Sequence, residues 1–181
     1  NWRTRQGKTL NTLNSLTSNG TWSASGSATS VVLDEITKYS GSASVRFNLV
    51  ASGDGIQNTT MSVLNLTDED EVADVFVAFY IKNSTDLAAL TSATQIWGND
   101  LTTAYWPGVA QTTQADGTAF RVGWNVIKTP WSTATETGTV APATIDSYRI
   151  TFAATSAITN IRVDNIIFSI GRNFDIKYYS R

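Results

Sequence analysis

The stretch Ser44-Val45-Arg46-Phe47-Asn48-Leu49 decides the fold class. Its apolar residues fall on every second position, so Val45, Phe47 and Leu49 share one face of an extended strand and the polar residues share the other. An amphipathic helix would instead repeat its apolar residues every three or four positions. The stretch therefore predicts a β-strand that is buried on one face.

The strand pattern continues along the chain, and segments rich in Val, Ile, Thr, Phe and Tyr are separated by clusters of Gly, Asn, Asp and Ser. The run Val75-Phe76-Val77-Ala78-Phe79-Tyr80-Ile81 is almost entirely apolar, as expected for a central strand that is covered on both faces. Residues 86–91 have the composition of one helical turn. Short strands separated by turns predict an all-β fold, an antiparallel two-sheet β-sandwich of jelly-roll type. The predicted strands are 21–25, 29–35, 43–51, 61–66, 74–82, 94–97, 119–128, 145–152, 160–170 and 175–179.

The chain has 181 residues, a length that one β-sandwich commonly fills. We interpret residues 1–20 as an N-terminal arm and residues 21–181 as a single jelly-roll domain. Leu10, Leu13 and Leu16 are three positions apart, which fits either a short helix or an extended arm. An extended arm would pack its leucines onto the body of the domain or onto a neighbouring copy, and in the second case the chain would form a homo-oligomer.

Composition excludes several classes of function. The net charge is −2 and only Arg3, Arg5 and Lys8 cluster, so the chain lacks the basic surface that nucleic acid requires. The sequence contains no apolar run long enough for a membrane-spanning helix. Histidine and cysteine are absent, which excludes Ser-His-Asp catalysis, Cys-His catalysis and His-ligated zinc. The acidic run Asp68-Glu69-Asp70-Glu71 has no apolar neighbours that would raise a pKa and is interpreted as a solvated turn. We therefore predict that the chain is not an enzyme.

Five landmarks follow one another in a recognisable order. They are Gly20-Thr21-Trp22, Tyr39-Ser40-Gly41-Ser42-Ala43-Ser44-Val45-Arg46-Phe47, Leu64-Asn65-Leu66-Thr67, Gly123-Trp124-Asn125-Val126-Ile127 and Ile161-Arg162-Val163-Asp164-Asn165-Ile166. Their order and spacing resemble the jelly-roll carbohydrate-binding modules with a galactose-binding-like fold, over residues 22–170. Similar folds also serve in virion proteins, including those of bacteriophages.

The resemblance implies a non-catalytic carbohydrate-binding-like module on an extracellular or virion-attached protein, with a glycan as its partner. The alternative is a structural virion protein, such as a phage capsid decoration or a tail-attached jelly roll. In that case its partners would be other virion proteins.

Many of those modules hold a structural calcium ion with an aspartate of the last strand and backbone carbonyls of the Ser-Gly loop. Carried over to this chain, the ligands are Asp164 and the carbonyl groups of Ser40 and Ser42. The family also tends to supply an acidic residue from the first strand, where this chain has Leu13-Asn14-Ser15-Leu16. Calcium takes about six to eight oxygen ligands, including carboxylates, and this chain lacks the acid of the first strand. The other interpretation is that Asp164 caps a turn or pairs with Arg162 or Arg149.

A ligand-binding surface is predicted from aromatic residues in loop-like sequence. Trp97, Tyr105 and Trp106 lie beside Gly, Asn, Asp and Pro residues and cannot all belong to one alternating strand. Aromatic faces pack against the C–H faces of sugar rings, and Asn99 and Asp100 can bond hydroxyl groups. These five residues are the predicted binding surface. The alternative is that the rings close the end of the sandwich.

The other aromatic residues are interpreted from their surroundings. Trp22 and Trp124, with most of the phenylalanines, lie inside alternating segments and are predicted to be core. Trp131 follows Pro130 and is placed in a loop. Gln111 and Gln114 are further candidates for bonding sugar hydroxyl groups.

Overall fold

The computed structural model describes residues 8–11, 13–17, 19–67, 72–130 and 135–170. Within these ranges the chain forms one short α-helix, α1 (Ser84–Ala89), a 3-10 turn at Pro142–Thr144, and eleven strands. The strands are β1 (Lys8–Asn11), β2 (Ser23–Ser25), β3 (Thr29–Asp34), β4 (Ser44–Leu49), β5 (Gly55–Asn58), β6 (Val72–Ile81), β7 (Leu90–Gly98), β8 (Tyr105–Pro107), β9 (Gly123–Pro130), β10 (Ser147–Ala154) and β11 (Ile158–Ile170). The predicted strand 175–179, the acidic run 68–71 and Trp131 lie outside the described residues.

The strands form two antiparallel sheets that pack face to face. The larger sheet has the order β3-β4-β11-β6-β9, and β1 also pairs with β11. The smaller sheet has the order β2-β5-β10-β7-β8. This arrangement confirms the predicted all-β, antiparallel two-sheet sandwich.

The alternating segments place the hydrophobic core between the two sheets. Val45, Phe47 and Leu49 are buried, as the opening pattern predicts. The ring of Phe47 lies 6.0 Å from that of Phe152 in β10, and Phe79 of β6 contacts Phe152 edge-on at 5.3 Å. These contacts join the inner faces of the two sheets, and the alternate residues of each strand lie on its outer face.

Several strand boundaries differ from those predicted. The predicted strand 61–66 is reduced to one bridge, between Leu64 and Ile145. Strand β5 was not predicted because it begins with glycine, which is typical of turns. A Cβ atom at Gly55 would lie only 1.8 Å from the carbonyl oxygen of Ile150, so the close pairing of β5 with β10 requires glycine. The predicted helical turn is present as α1, whose amide at Asp86 donates to the side chain of Asn83.

The first described residues belong to the larger sheet. Lys8 pairs with Phe168 of β11 and Thr9 pairs with Ile167, so this segment is extended. Leu13 is fully buried in the core. The boundary at residue 20 and a role of the arm in oligomer formation stay predictions. In the described ranges, no helix combines the length and the apolar character needed to cross a bilayer.

Candidate functional site

A row of five side chains crosses the outer face of the larger sheet. In the strand register, Val32 of β3 lies opposite Arg46 of β4, and Arg46 lies opposite Arg162 of β11. The row continues through Tyr80 of β6 to Trp124 of β9. Neighbouring strands are about 4.8 Å apart, so the row is roughly 19 Å long. All five side chains are at least partly exposed, and we call them the outer row.

Three aromatic rings meet at one end of the outer row. The ring centroids of Tyr80 and Trp124 are 5.4 Å apart, with their planes inclined at 64°. Tyr39, from the loop between β3 and β4, also contacts the Trp124 ring, at 5.4 Å and 65°. Edge-to-face contacts of this kind are favourable and hold the rings in place. Tyr39, Tyr80 and Trp124 are each partly exposed, and together we call them the outer aromatic cluster.

The side chain of Arg162 is fixed by three partners. Its Nε donates to Oδ2 of Asp34 at 2.7 Å, and Nη1 donates to the carbonyl oxygen of Asn160 at 2.9 Å. Its guanidinium carbon lies 5.2 Å from the centre of the Tyr80 ring. Arg162 therefore supports the outer aromatic cluster from within the row.

Asp34 forms an ion pair with Arg162. Burial raises the pKa of Asp34, but hydrogen bonds from the Thr37 amide, from Arg162 and from the Ile36 amide together hold it below its ordinary value. Asp34 is therefore ionised at neutral pH, and its negative charge is paired with Arg162.

Trp124 is positioned by its neighbour in sequence. Asn125 is fully buried, and its Oδ1 accepts from the amide of Arg121 at 2.8 Å. Its Nδ2 donates to the carbonyl oxygens of Arg121 and Gly123, at 2.9 and 3.1 Å. Gly123 has a φ of +100°, a conformation that favours glycine. The buried amide thus holds the turn that precedes Trp124 and directs the indole ring outward.

Asp164 anchors the loop that carries Tyr39. Its Oδ2 accepts from the amides of Tyr39 and Ser40, both at 2.9 Å. Burial raises the pKa of Asp164 to about 6, although amide hydrogen bonds from Ser40, Tyr39 and Asn165 partly offset this. Burial also raises the pKa of the Tyr39 hydroxyl, while the positive charge of Arg121 opposes that shift.

The loop next to Asp164 contains the predicted calcium ligands. Oδ1 of Asp164 and Oγ of Ser40 are buried and have no hydrogen-bond partner in the described part of the chain. The amide of Ser42 donates to Oδ1 of Asn14 at 2.8 Å, and Lys38 Nζ lies 3.4 Å from the Ser42 carbonyl oxygen. The described residues contain no group of three or more His, Cys, Asp or Glu side chains that could hold a metal. The oxygen atoms therefore suit calcium in type, with a single carboxylate among them.

Two of the predicted ligand-binding residues belong to the core. Trp97 is fully buried and contacts Phe168 edge-on at 6.1 Å. Trp106 is only 7 % exposed and lies directly opposite Trp97 in the register of β7 and β8. The prediction that these indoles form an exposed platform is therefore corrected: both rings are packed inside the sandwich.

Asn99, Asp100 and Tyr105 lie together at one end of the smaller sheet. The Asn99 amide group bonds backbone atoms of residues 141 and 144, at 2.7 to 2.9 Å. The Asp100 carboxylate accepts from the hydroxyl group of Thr103 and from the amides of residues 102–104, and these hydrogen bonds lower its pKa. Tyr105 is partly exposed. The polar atoms of the first two residues thus hold local turns, and a ligand-binding role for the three stays a prediction.

The two glutamine candidates are also bonded within the chain. Nε2 of Gln111 donates to the carbonyl oxygen of Val109 at 2.8 Å. Nε2 of Gln114 donates to the carbonyl oxygen of Ala119 at 3.1 Å. Both side chains hold the segment that leads into β9.

The outer aromatic cluster was not predicted from the sequence. Tyr80 stands in an apolar run that suggested burial on both faces, and Trp124 was predicted to be core. Trp124 is instead half-buried on the outer face, because Asn125 takes the inward position. The available signal was Gly123, which marks a turn immediately before Trp124.

Solved structures with a similar fold are carbohydrate-binding modules. A family 11 module from Clostridium thermocellum, in complex with a β-1,3-1,4-mixed-linked tetrasaccharide, superposes with a TM-score of 0.60 at 13% identity, covering 92% of this chain and 98% of that one. The family 11 module of the Clostridium thermocellum cellulase Lic26A-Cel5E gives 0.59 at 13% identity, covering 93% and 97%. The tandem CBM22-1–CBM22-2 domain of Paenibacillus barcinonensis Xyn10C gives 0.53 at 16% identity, covering 96% and 49%.

These likenesses establish the fold that the chain shares with those modules. They confirm the predicted resemblance at that level, and they give no support to a phage origin. No protein-family model and no curated protein matches the sequence.

Proposed function

We propose that this chain is a non-catalytic glycan-binding module of an extracellular protein, and that it binds through the outer row and the outer aromatic cluster. The observation that carries the proposal is the cluster itself. Tyr39, Tyr80 and Trp124 are partly exposed, and each tyrosine ring contacts the indole of Trp124 on the outer face of the larger sheet. Exposed apolar surface with this degree of order is typical of an interaction site.

The geometry suits a sugar chain for two physical reasons. Aromatic faces provide apolar contact for the C–H groups of sugar rings, while nearby arginines can donate hydrogen bonds to hydroxyl groups. The side chains are also held in place before binding, by Arg162 and by the turn at Asn125. A site that is ordered in advance loses less conformational entropy when its ligand binds.

The fold supports the same proposal. The structure with a TM-score of 0.60 contains a bound tetrasaccharide, so a sandwich of this shape can present a sugar-binding surface. Fold alone does not define function. The proposal therefore depends on the side chains of the outer face as well.

A catalytic role has little support on this face. Glycoside hydrolysis generally needs two carboxyl groups that flank the substrate. The two acids nearest the outer row are Asp34, which is bonded to Arg162 and two amides, and Asp164, which is fully buried. Neither carboxyl group is placed to reach a bound sugar.

We also propose a structural calcium ion beside Asp164, held by that carboxylate together with oxygens of Ser40 and Ser42. The unpartnered Oδ1 of Asp164 and Oγ of Ser40 support it. An ion that binds only the folded state raises the melting temperature by mass action. We expect a higher melting temperature in excess calcium than in excess EDTA, and no such difference for Asp164→Asn. Equal melting temperatures for the parent protein would contradict the calcium site.

The function is tested by affinity electrophoresis through gels that contain single polysaccharides. The panel includes mixed-linked β-1,3-1,4-glucan, xylan, glucuronoxylan, polygalacturonate and alginate. We expect at least one polymer to retard the parent protein and Tyr80→Ala to lose most of that retardation. Tyr105→Ala is the matched control, because Tyr105 is a partly exposed tyrosine of the other sheet. Retardation by none of the polymers would contradict the proposed function.

A further inference from the structure

Arg46 is the second residue of the outer row, next to Val32, and its charge has no partner among the described residues. Its side chain is only partly exposed, yet it makes no ion pair and no hydrogen bond within the described residues. The ion pairs found there join Lys82 to Asp86 at 3.0 Å and Arg162 to Asp34 at 2.7 Å. A guanidinium group carries five N–H donors, so Arg46 has its full bonding capacity available.

The neighbouring residues of Arg46 do not balance its positive charge, which favours binding of an anion. In the row it lies between Val32 and Arg162, so its nearest charged neighbour across the strands is another arginine. Asp34 does not compensate, because its Oδ1 accepts from the amides at 36 and 37 and its Oδ2 accepts from Arg162. Of these two adjacent guanidinium groups, only that of Arg162 is paired with a carboxylate of the described residues.

A further positive charge lies next to the outer aromatic cluster. Arg121 is exposed, and its Nε donates to the carbonyl oxygen of Trp124 at 3.2 Å. Its charge acts on the hydroxyl group of Tyr39. The aromatic surface therefore has Arg46 in the same row and Arg121 next to Trp124.

We infer that the ligand of this face is an acidic glycan, in which a uronic acid carboxylate binds Arg46 while sugar rings pack on Tyr80 and Trp124. The inference rests on the proposed function and names its ligand class. The planar guanidinium fork of arginine matches a carboxylate with two parallel hydrogen bonds. A neutral sugar chain would leave the charge of Arg46 without a counter-charge.

The test compares acidic polymers with neutral forms of the same backbone. Glucuronoxylan, polygalacturonate and alginate are each used as prepared and after chemical reduction of their carboxyl groups to alcohols. We expect at least one acidic polymer to bind about tenfold more tightly than its reduced form, as loss of a charge-assisted contact would give. Sodium chloride should weaken binding of the acidic form more than that of the reduced form, because salt screens exposed charges.

Two arginine variants assign the effect to this face. Arg46→Gln should bind the acidic polymer about tenfold more weakly. Its affinity for the reduced polymer should fall much less, because the glutamine amide still donates hydrogen bonds to hydroxyl groups. Arg149→Gln is the matched control, because Arg149 lies on the smaller sheet and bonds Gln57 there. It makes the same change of charge and should bind as the parent does. Unchanged thermal melting of Arg46→Gln establishes that the variant is folded.

The outcomes separate the inference from the proposed function. Equal binding of acidic and reduced polymers, or parental binding by Arg46→Gln, would overturn the inference and leave the glycan-binding proposal standing. The panel also includes carrageenan, a sulfated polymer. Retardation by carrageenan alone would also overturn the inference, since the anion would then be a sulfate ester. Binding to no polymer of any kind would overturn both.

Discussion

The hydroxyl group of Tyr148 donates a 2.7 Å hydrogen bond to Oε1 of Gln95 in the centre of the sandwich. Gln95 in turn donates to the carbonyl oxygen of Val75 at 2.8 Å and to Oγ1 of Thr129 at 3.1 Å. Tyr148, Gln95 and Thr129 are all fully buried. The network therefore joins β10 and β7 of the smaller sheet to β6 and β9 of the larger sheet.

Tyr148→Phe removes one hydroxyl group and leaves Oε1 of Gln95 without its donor. A buried polar atom that loses its partner costs about 1–3 kcal/mol of unfolding free energy. We expect a loss of that size in urea titration, with no change of fold by circular dichroism. Tyr105→Phe, on a partly exposed ring, is the control and should leave stability unchanged. A loss below about 0.5 kcal/mol for Tyr148→Phe would show that the network adds little.

Substitution of Phe47 and Phe79 tests which face of β4 and of β6 lies in the core. Both are fully buried and contact Phe152. We expect Phe47→Ala and Phe79→Ala each to lower the unfolding free energy by about 3–5 kcal/mol, the usual range for a buried phenylalanine. Ile36→Ala is the control, because Ile36 is 93% exposed. Losses below about 1 kcal/mol would place these rings outside the core.

Trp106 separates a structural role from a binding role. Because the ring is packed opposite Trp97, Trp106→Ala should lower the unfolding free energy by about 3–5 kcal/mol. At a temperature where the variant is still folded, its affinity for glycan should equal that of the parent. A variant that melts like the parent but has lost glycan binding would show instead that Trp106 belongs to a ligand-binding surface at the end of the smaller sheet.

Asp54 should make the domain sensitive to acid. Burial raises its pKa, but amides of Ala51, Ser27 and Val50 and the hydroxyl of Ser27 hold it below the ordinary value of 3.8. A carboxyl whose pKa is lower in the folded state contributes stability above its unfolded pKa, and that contribution is lost as the pH falls through the folded pKa.

Urea titrations at several pH values check this expectation. Asp54→Asn should be less stable than the parent at pH 7 and should lose less stability on acidification below about pH 4. Glu35→Gln is the control, because Glu35 is an exposed carboxylate. If the free energy of unfolding of Asp54→Asn and of the parent fell in parallel with pH, Asp54 would not be a source of the acid sensitivity.

The fold could be predicted from the sequence because alternation directly reports which face of a strand is buried. Strands β4 and β10 follow that pattern closely, and β6 is buried along most of its length, as its apolar run predicts. Strand β8 was missed because Tyr105-Trp106-Pro107 looks like a loop. Proline is tolerated there since β8 lies at the edge of its sheet, and the pairing places Trp106 against Trp97.

The position of the candidate site could not be predicted, because it depends on hydrogen bonds to the backbone and on the order of the strands, which alternation does not report. Trp124 and Asn125 suggested an apolar residue facing inward and a polar residue facing outward. The structure has the reverse, since the backbone of residues 121–123 satisfies the Asn125 amide inside the sandwich. The outer row also requires the order of five strands, which alternation does not define.

The central claim is that glycan binds on the outer face of the larger sheet, and titration calorimetry of Trp124→Ala tests it most directly. The ligand is the polysaccharide that retards the parent protein most strongly. We expect Trp124→Ala to keep the parental melting temperature within a few degrees and to lose about thirtyfold or more in affinity, as aromatic hot spots do. Tyr105→Ala should bind as the parent does. Parental affinity in Trp124→Ala, together with loss of binding in Tyr105→Ala, would place the site on the other sheet and contradict the claim.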